Sequence, residues 1–297
     1  MRIVVTGASG GIGRYVVADL LAHGHEVHAL SRGAPPAQLA ASGAIWHQAQ
    51  IRDAEAIAAL MVAERPDALI HLAAIPSPLL GSPLEVFATN VEATFVALEA
   101  AGVAGVRRVV LASSISLLGL PFGAPGLAPL YAPVDEAHPN IGTDPYALSK
   151  EVDEATAAMM YRRHGYQVVA LRIPHTRPME ALLARVADLA HDPADLAREL
   201  WAYLDARDAA RAFALAVERD IPGYHVINVM APDTYSAEPT ADLLARFHPS
   251  TPLRRPIEGR ESAFDLTRCR ELLGFIPQHL LPRDALGAIV TEAGDPR

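Results

Sequence analysis

The chain opens with Ile3-Val4-Val5-Thr6-Gly7-Ala8-Ser9-Gly10-Gly11-Ile12-Gly13, and the reading of this stretch decides the fold. Ile3-Val4-Val5 is a short apolar run of the kind buried in a sheet, and residues 14–22 carry a helical pattern. The glycines therefore fall in a tight turn between a strand and a helix N-terminus. Such a turn lets a pyrophosphate approach the backbone more closely than a Cβ would allow, while free N–H groups and the positive end of the helix dipole face its charge. Gly7, Ser9, Gly10, Gly11, Ile12 and Gly13 are accordingly candidate contacts to a dinucleotide. Glycine-rich turns also occur without a ligand, so this reading needs support elsewhere in the chain.

Support comes from Tyr146-Ala147-Leu148-Ser149-Lys150. A phenol and an ammonium at this spacing lie on one face of a helix, about one turn apart. An ammonium beside a phenol favours the phenolate, and a tyrosine so activated can exchange a proton with an alcohol or carbonyl while a nicotinamide cofactor exchanges a hydride. Tyr-x-x-x-Lys alone is a pattern that solvated helix faces also produce. The two motifs together, in this order, predict a dinucleotide-dependent acid/base catalyst.

At 297 residues, 51% of them hydrophobic and 20% charged, the chain is long enough for one large domain with an ample core. A net charge of -9 and a pI near 5.7 give no reason to expect a nucleic-acid or anionic-membrane surface. The single cysteine, Cys269, excludes an internal disulfide and a cysteine-based zinc site, fits a reducing compartment, and reads as a packing residue in a helix. No signal peptide is expected before the first strand, and no apolar stretch is expected to approach the roughly twenty residues of a membrane span, which together predict a cytoplasmic protein. The 12 histidines show no clustering with carboxylates, so no metal site is expected, and His71, His138 and His175 read as polar or packing residues.

Further apolar runs at residues 27–30, 68–72, 109–111, 168–171 and 224–229 alternate with helical patterns. That alternation predicts an α/β fold, a Rossmann-type doubly wound parallel sheet covered on both faces. Long helices at 83–101 and 146–164 also offer faces for a homodimer. After Arg172 the alternation weakens, and a Pro/His/Arg stretch at 174–178 leads into helical patterns at 179–190 and 194–200. A helix at 205–218 and the strand at 224–229 then rejoin the sheet. Residues 1–173 with 205–229 are thus expected to form the dinucleotide-binding domain. Residues 174–204 and 230–297 are expected to form a small substrate-binding lid over the carboxyl edge of the sheet, including a short helix that ends at Leu272-Leu273-Gly274.

These features resemble the extended short-chain dehydrogenase/reductase superfamily, in its NAD(P)-dependent epimerase/dehydratase family with the nucleotide-sugar epimerase and uronate dehydrogenase branch, over nearly the whole chain. Thr6 to Gly13 is similar to the family's TGxxGxxG, His71-Leu72-Ala73-Ala74 to its HLAA, Asn90 to its helix asparagine, and Pro133-Val134-Asp135-Glu136 to the segment before its active-site helix. Ala206-Arg207-Asp208-Ala209-Ala210-Arg211-Ala212 and residues 264–275 are similar to its late helix and its LGF ending. The resemblance implies that Leu72, Ala73, Ala74, Asn90 and Ile173 lie beside the cofactor. It implies further that Ser114, five residues before Gly119, hydrogen-bonds the substrate oxygen, that Tyr146 transfers the proton, and that Lys150 holds the nicotinamide ribose while tuning Tyr146. A serine hydroxyl can indeed donate to a developing alkoxide. Ser113 reads as structural, and Ser116 as either a substrate contact or a surface residue.

Departures from the family pattern narrow the reading. An acidic residue normally follows the second strand, where it accepts from the adenosine ribose, but this chain has Ser31-Arg32 there. Serine with a guanidinium can bind a 2′-phosphate that a carboxylate would repel, so NADP is preferred, with NAD the alternative and an exposed Arg32 without any phosphate role left open. Gln50, with Ile51 beside it, replaces the usual aspartate near the adenine, and Asp53 reads as a helix N-cap. Ile115-Ser116 supplies none of the acids that drive dehydration, and Leu118 stands where many epimerases carry a tyrosine. His175 and Arg177 lie where substrate would enter; an arginine there could hold a carboxylate or phosphate, or belong to a solvated loop. The leading expectation is an NAD(P)-dependent oxidoreductase acting on a sugar-like or polyhydroxylated alcohol or carbonyl. The alternatives are a nucleotide-sugar epimerase and a non-catalytic dinucleotide sensor.

Overall fold

A computed structural model of the protein describes residues 1–189 and 193–282. Its strands are β1 (Arg2–Thr6), β2 (Glu26–Ser31), β3 (Ile45–Gln48), β4 (Ala68–His71), β5 (Arg108–Ser114), β6 (Gln167–Ile173), β7 (Thr176–Arg177), β8 (Leu204–Asp205) and β9 (Tyr224–Asn228). Its α-helices are α1 (Gly13–Ala22), α2 (Ala54–Glu64), α3 (Pro83–Val103), α4 (Pro145–His164), α5 (Met179–Leu189), α6 (Ala206–Glu218) and α7 (Thr240–Phe247). Seven strands pair in the order β3-β2-β1-β4-β5-β6-β9, every pair parallel. The apolar runs are buried on both faces, as a helix-covered parallel sheet requires. From β1 the chain winds outward through β2 and β3, then returns to β4 on the other side and winds the opposite way. The crevice between β1 and β4 is therefore the topological switch point, and the glycine turn lies in it.

Helix termini follow their local sequence. Asp53 caps α2 by accepting from Ala56 N at 3.0 Å, as its place in the sequence predicts. Ser82 and Glu85 form a reciprocal capping box at the start of α3. Asp144 accepts from both Tyr146 N and Ala147 N at 2.9 Å, which fixes Tyr146 in the first turn of α4. The 21-residue α3 corrects one expectation, because it is long and apolar enough by length and composition to cross a membrane. Here its apolar side, with Val86, Ala93, Ala97, Leu98 and Ala101, is buried in the protein, and it packs on α4.

Several short elements escape the sequence pattern. β3 has only four residues, half-buried or exposed at the sheet edge, so it carries no apolar run. The helical pattern after α5 forms a 3-10 segment, Pro193–Glu199, and β7 and β8 pair in parallel outside the main sheet. Ala190, expected to end a helix, lies outside the described residues, as do residues 283–297 of the expected lid. Cys269 is buried in a single π-helical turn, Cys269–Leu273, that stops at Gly274 with φ 56°. Burial, and next the Glu136 carboxylate, push its thiol up to about 12.

Candidate active site

Thr6, the last residue of β1, ties two strand ends together. Its Oγ1 accepts from Leu72 N at 3.2 Å and Ala73 N at 3.3 Å, and bonds His71 Nδ1 at 2.8 Å. His71 Nε2 in turn meets Thr94 Oγ1 at 3.2 Å. The clamp presses the glycine turn against the end of β4. Gly7 sits at φ +67°, and a Cβ there would lie 2.8 Å from Ala73 N. A Cβ on Gly13 would overlap the Gly7 carbonyl oxygen, so α1 can start this close to the turn only with glycine at that position. Gly11 faces open space instead, with nothing within 4 Å of a Cβ. A cradle packed tightly behind and open in front fits the pyrophosphate of a dinucleotide.

Two cavities meet at Gly7, Gly10, Leu72 and Ala74. The first, about 460 Å³, runs from the glycine turn past Ser114, Ser116, Tyr146, Lys150 and Ile173 to His175 and Arg177. The second, about 340 Å³, is lined by Ser9, Ser31, Arg32, Gln50, Ile51 and Ala73. Gly11, Ile12 and Gly13 line the first. Asn90 lines neither: its side chain accepts from Ile75 N at 2.7 Å and donates to Ile75 O at 3.1 Å and Ser149 Oγ at 3.0 Å, bracing the wall from behind. Ser31 Oγ donates to Gly33 O at 2.7 Å, so it shapes the loop that carries Arg32.

In the first cavity, Lys150 Nζ lies 5.8 Å from the centre of the Tyr146 ring. It donates to Ala112 O at 3.1 Å and to Asp153 Oδ2 at 3.0 Å. Burial pulls the Lys150 ammonium down, but Asp153 and then Tyr146 more than offset it, so the group stands above its usual value. Ser114 Oγ accepts from Ser116 N and donates to Ser116 Oγ, both at 3.0 Å, which turns both hydroxyls into the cavity wall. Ser113, which also lines this cavity, donates its Oγ to Glu154 Oε1 at 2.6 Å. Glu154 also receives Arg172 Nε at 2.9 Å and Nη2 at 2.8 Å, so one carboxylate of α4 holds the ends of β5 and β6 side by side. Phe122 meets Tyr146 edge-on at 6.2 Å between ring centres.

The far end is polar. Burial, then the charges of Arg185 and Arg177, push His175 down to about 4, so it is neutral there. Arg185 Nη2 pairs with Glu199 Oε1 at 2.8 Å, and burial raises the Glu199 carboxyl against the pull of Arg185. Arg185, Glu199, Phe122 and Asp153 were not anticipated from the sequence. Asp153 alone had a local signal, one helical turn beyond Lys150; the others come from segments with no motif.

Two histidine groups correct the expectation that none gathers with carboxylates. His23 Nδ1 and His25 Nε2 each lie 2.9 Å from Glu218 Oε1, while His28 Nδ1 lies 2.9 Å from His47 Nε2 and 3.5 Å from Glu64 Oε2. Both sit around the start of β2, away from the glycine turn, and their carboxylates come from distant helices that spacing along the chain does not reveal.

A switch-point cradle, a buried Tyr-Lys pair and a serine at the end of β5 are together the arrangement of the short-chain dehydrogenase/reductase class. The model of the NAD dependent epimerase/dehydratase family matches residues 3–229, and the chain belongs to that family. It is 30% identical over 175 residues to a UDP-glucose 4-epimerase of Lacticaseibacillus casei, a match covering 58% of this chain and 50% of that protein. It is 39% identical over 138 residues to a 3-diazoavenalumate denitrifying reductase of Streptomyces sp, covering 44% of each. The chain thus spans about half the length of these curated relatives. A UDP-glucose 4-epimerase from Stenotrophomonas maltophila, solved with bound NAD and formylated UDP-arabinopyranose, superposes with a TM-score of 0.71 at 23% identity over 99% of both chains.

Proposed function

We propose that this chain is an oxidoreductase that prefers NADP over NAD and moves a hydride to or from a sugar-like or polyhydroxylated alcohol or carbonyl, with Tyr146 as the acid/base. The observation that carries the reading is that the glycine cradle, Ser114, Tyr146 and Lys150 all line one cavity. When bound, the cofactor supplies or accepts the hydride. Gly7 and Gly10 to Gly13 would hold its pyrophosphate, Ile173 and Lys150 its nicotinamide end, and Gln50, Ile51 and Ala73 its adenine side. Ser114 orients the substrate oxygen, Tyr146 exchanges the proton with it, and Lys150 keeps a positive charge beside both. Arg32 lines the adenosine cavity, where the carboxylate of Glu85 is already engaged in the α3 cap; this supports a phosphate beside Arg32. Residues 174–189, 193–204 and 230–282 would form a small lid over the dinucleotide-binding residues 1–173 and 205–229. The outer faces of α3 and α4 expose Phe95, Leu148 and Tyr161, which supports a homodimer through these helices.

Turnover of a panel of sugars, uronates, lactones and nucleotide sugars, followed by nicotinamide absorbance, tests the reading. Tyr146→Phe should abolish it while cofactor affinity stays nearly intact. Surviving turnover would remove Tyr146 from its role. A retained cofactor with no net reduction, and an epimerised product, would replace the oxidoreductase reading by the epimerase one.

A further inference from the structure

A lysine ammonium has three N–H donors. Two of those on Lys150 are taken within the protein, by Ala112 O at 3.1 Å and Asp153 Oδ2 at 3.0 Å. Among the described residues the third has no acceptor, which leaves it for the cavity that Lys150 shares with Tyr146. Asp153 is 1% exposed, and among the described residues its Oδ1 has no hydrogen-bond partner, so its charge is directed at Lys150. A paired ammonium presents a dipole to its surroundings, not a bare charge. The other charged or titratable groups facing Lys150 are Glu154 on the same helix and His71 on β4. Glu154 is held by Arg172 and Ser113, and His71 is neutral in its burial site.

We propose that Asp153 is a positioning residue that compensates the charge of Lys150 and aims its one free N–H, so that the resting site keeps the Tyr146 phenol protonated and poised to deliver that proton to a substrate carbonyl. The inference rests on Tyr146 being the proton-transfer group. In that direction the phenol O–H bond breaks and its proton goes to the carbonyl oxygen, while the carbonyl carbon gains a hydride from the reduced nicotinamide dinucleotide, which is oxidised. The phenolate then takes a proton from solvent. A lysine without Asp153 would favour the phenolate, the form that an alcohol oxidation consumes.

Subtracting the near-ultraviolet tyrosinate titration of Tyr146→Phe from that of the wild type isolates Tyr146, and needs no substrate. Asp153→Asn should move its midpoint down by about one pH unit or more, whereas Asp153→Glu, which keeps the charge, should stay close to wild type. An unchanged midpoint in Asp153→Asn overturns the proposal. Should that variant not fold, Asp153→Ser, which removes the charge and keeps a hydrogen-bonding group for Lys150, takes its place. Its midpoint should likewise lie below that of the wild type, and equality with the wild type overturns the proposal. Failure of every alcohol and carbonyl to turn over would remove the proposed activity yet leave the titration result standing.

Discussion

Under the proposed preference for NADP, Arg32 is the residue on which cofactor choice would turn. It follows β2 and lines the second cavity, proposed above to take the adenosine, at the place where the family resemblance expects an acidic residue. A guanidinium binding a phosphate makes charge-assisted hydrogen bonds worth about 1.5–3 kcal/mol. Arg32→Ala should therefore weaken NADP binding by roughly tenfold or more while leaving NAD binding nearly unchanged. Titrating both dinucleotides into both proteins checks this, and an equal loss for the two would remove the phosphate role. The residues of the site differ in how legible they were. Gly7 and Gly13 could be read because their constraint is steric and local: a Cβ at either would strike backbone a few residues or one strand away. Arg185 and Glu199 could not, since they reach the cavity from α5 and a 3-10 segment whose sequences carry only an amphipathic or irregular pattern.

Among elements, the ends of β5 and β6 line the candidate active-site cavity and are joined through one buried ion pair. Glu154 projects from α4, one turn past Lys150, and receives both Arg172 and Ser113, while Arg172 also donates to Glu136 O at 3.3 Å. Side-chain exposure is 8% for both Arg172 and Glu154, so neither charge has water to fall back on. Glu154→Gln should therefore destabilise the fold by about 3–5 kcal/mol by stranding the Arg172 guanidinium. Urea unfolding measures it, and the charge-free pair Glu154→Leu/Arg172→Met should recover most of the loss. Recovery no better than the single change would mean that Arg172 is not the stranded partner. The long elements were legible in the sequence because continuous apolar strands and capped helices each follow one period. β3, β7 and β8 were not, because two to four residues at a sheet edge or outside the sheet bury too little to leave a pattern.

For the molecule as a whole, the clamp that closes the switch point also makes stability depend on pH. His71 joins β1, β4 and α3 through Thr6 and Thr94, and it is buried, with no carboxylate paired to it among the described residues. Burial, and next the Lys150 charge, hold it down to about 3 from an ordinary 6.5. Between those values the unfolded chain binds a proton that the folded protein does not. Stability from this group is thus complete above pH 6.5 and declines as pH falls toward 3. At about pH 5 the loss from His71 alone amounts to about 2 kcal/mol. Denaturant unfolding at about pH 7 and pH 5, for the wild type and for His71→Gln, isolates the contribution. Glutamine can bridge the two threonines without titrating, so its stability difference between the two conditions should be smaller by about 2 kcal/mol. Equal differences in the two proteins would show that His71 takes up its proton as readily in the fold as outside it, and would place the acid sensitivity of the switch point elsewhere.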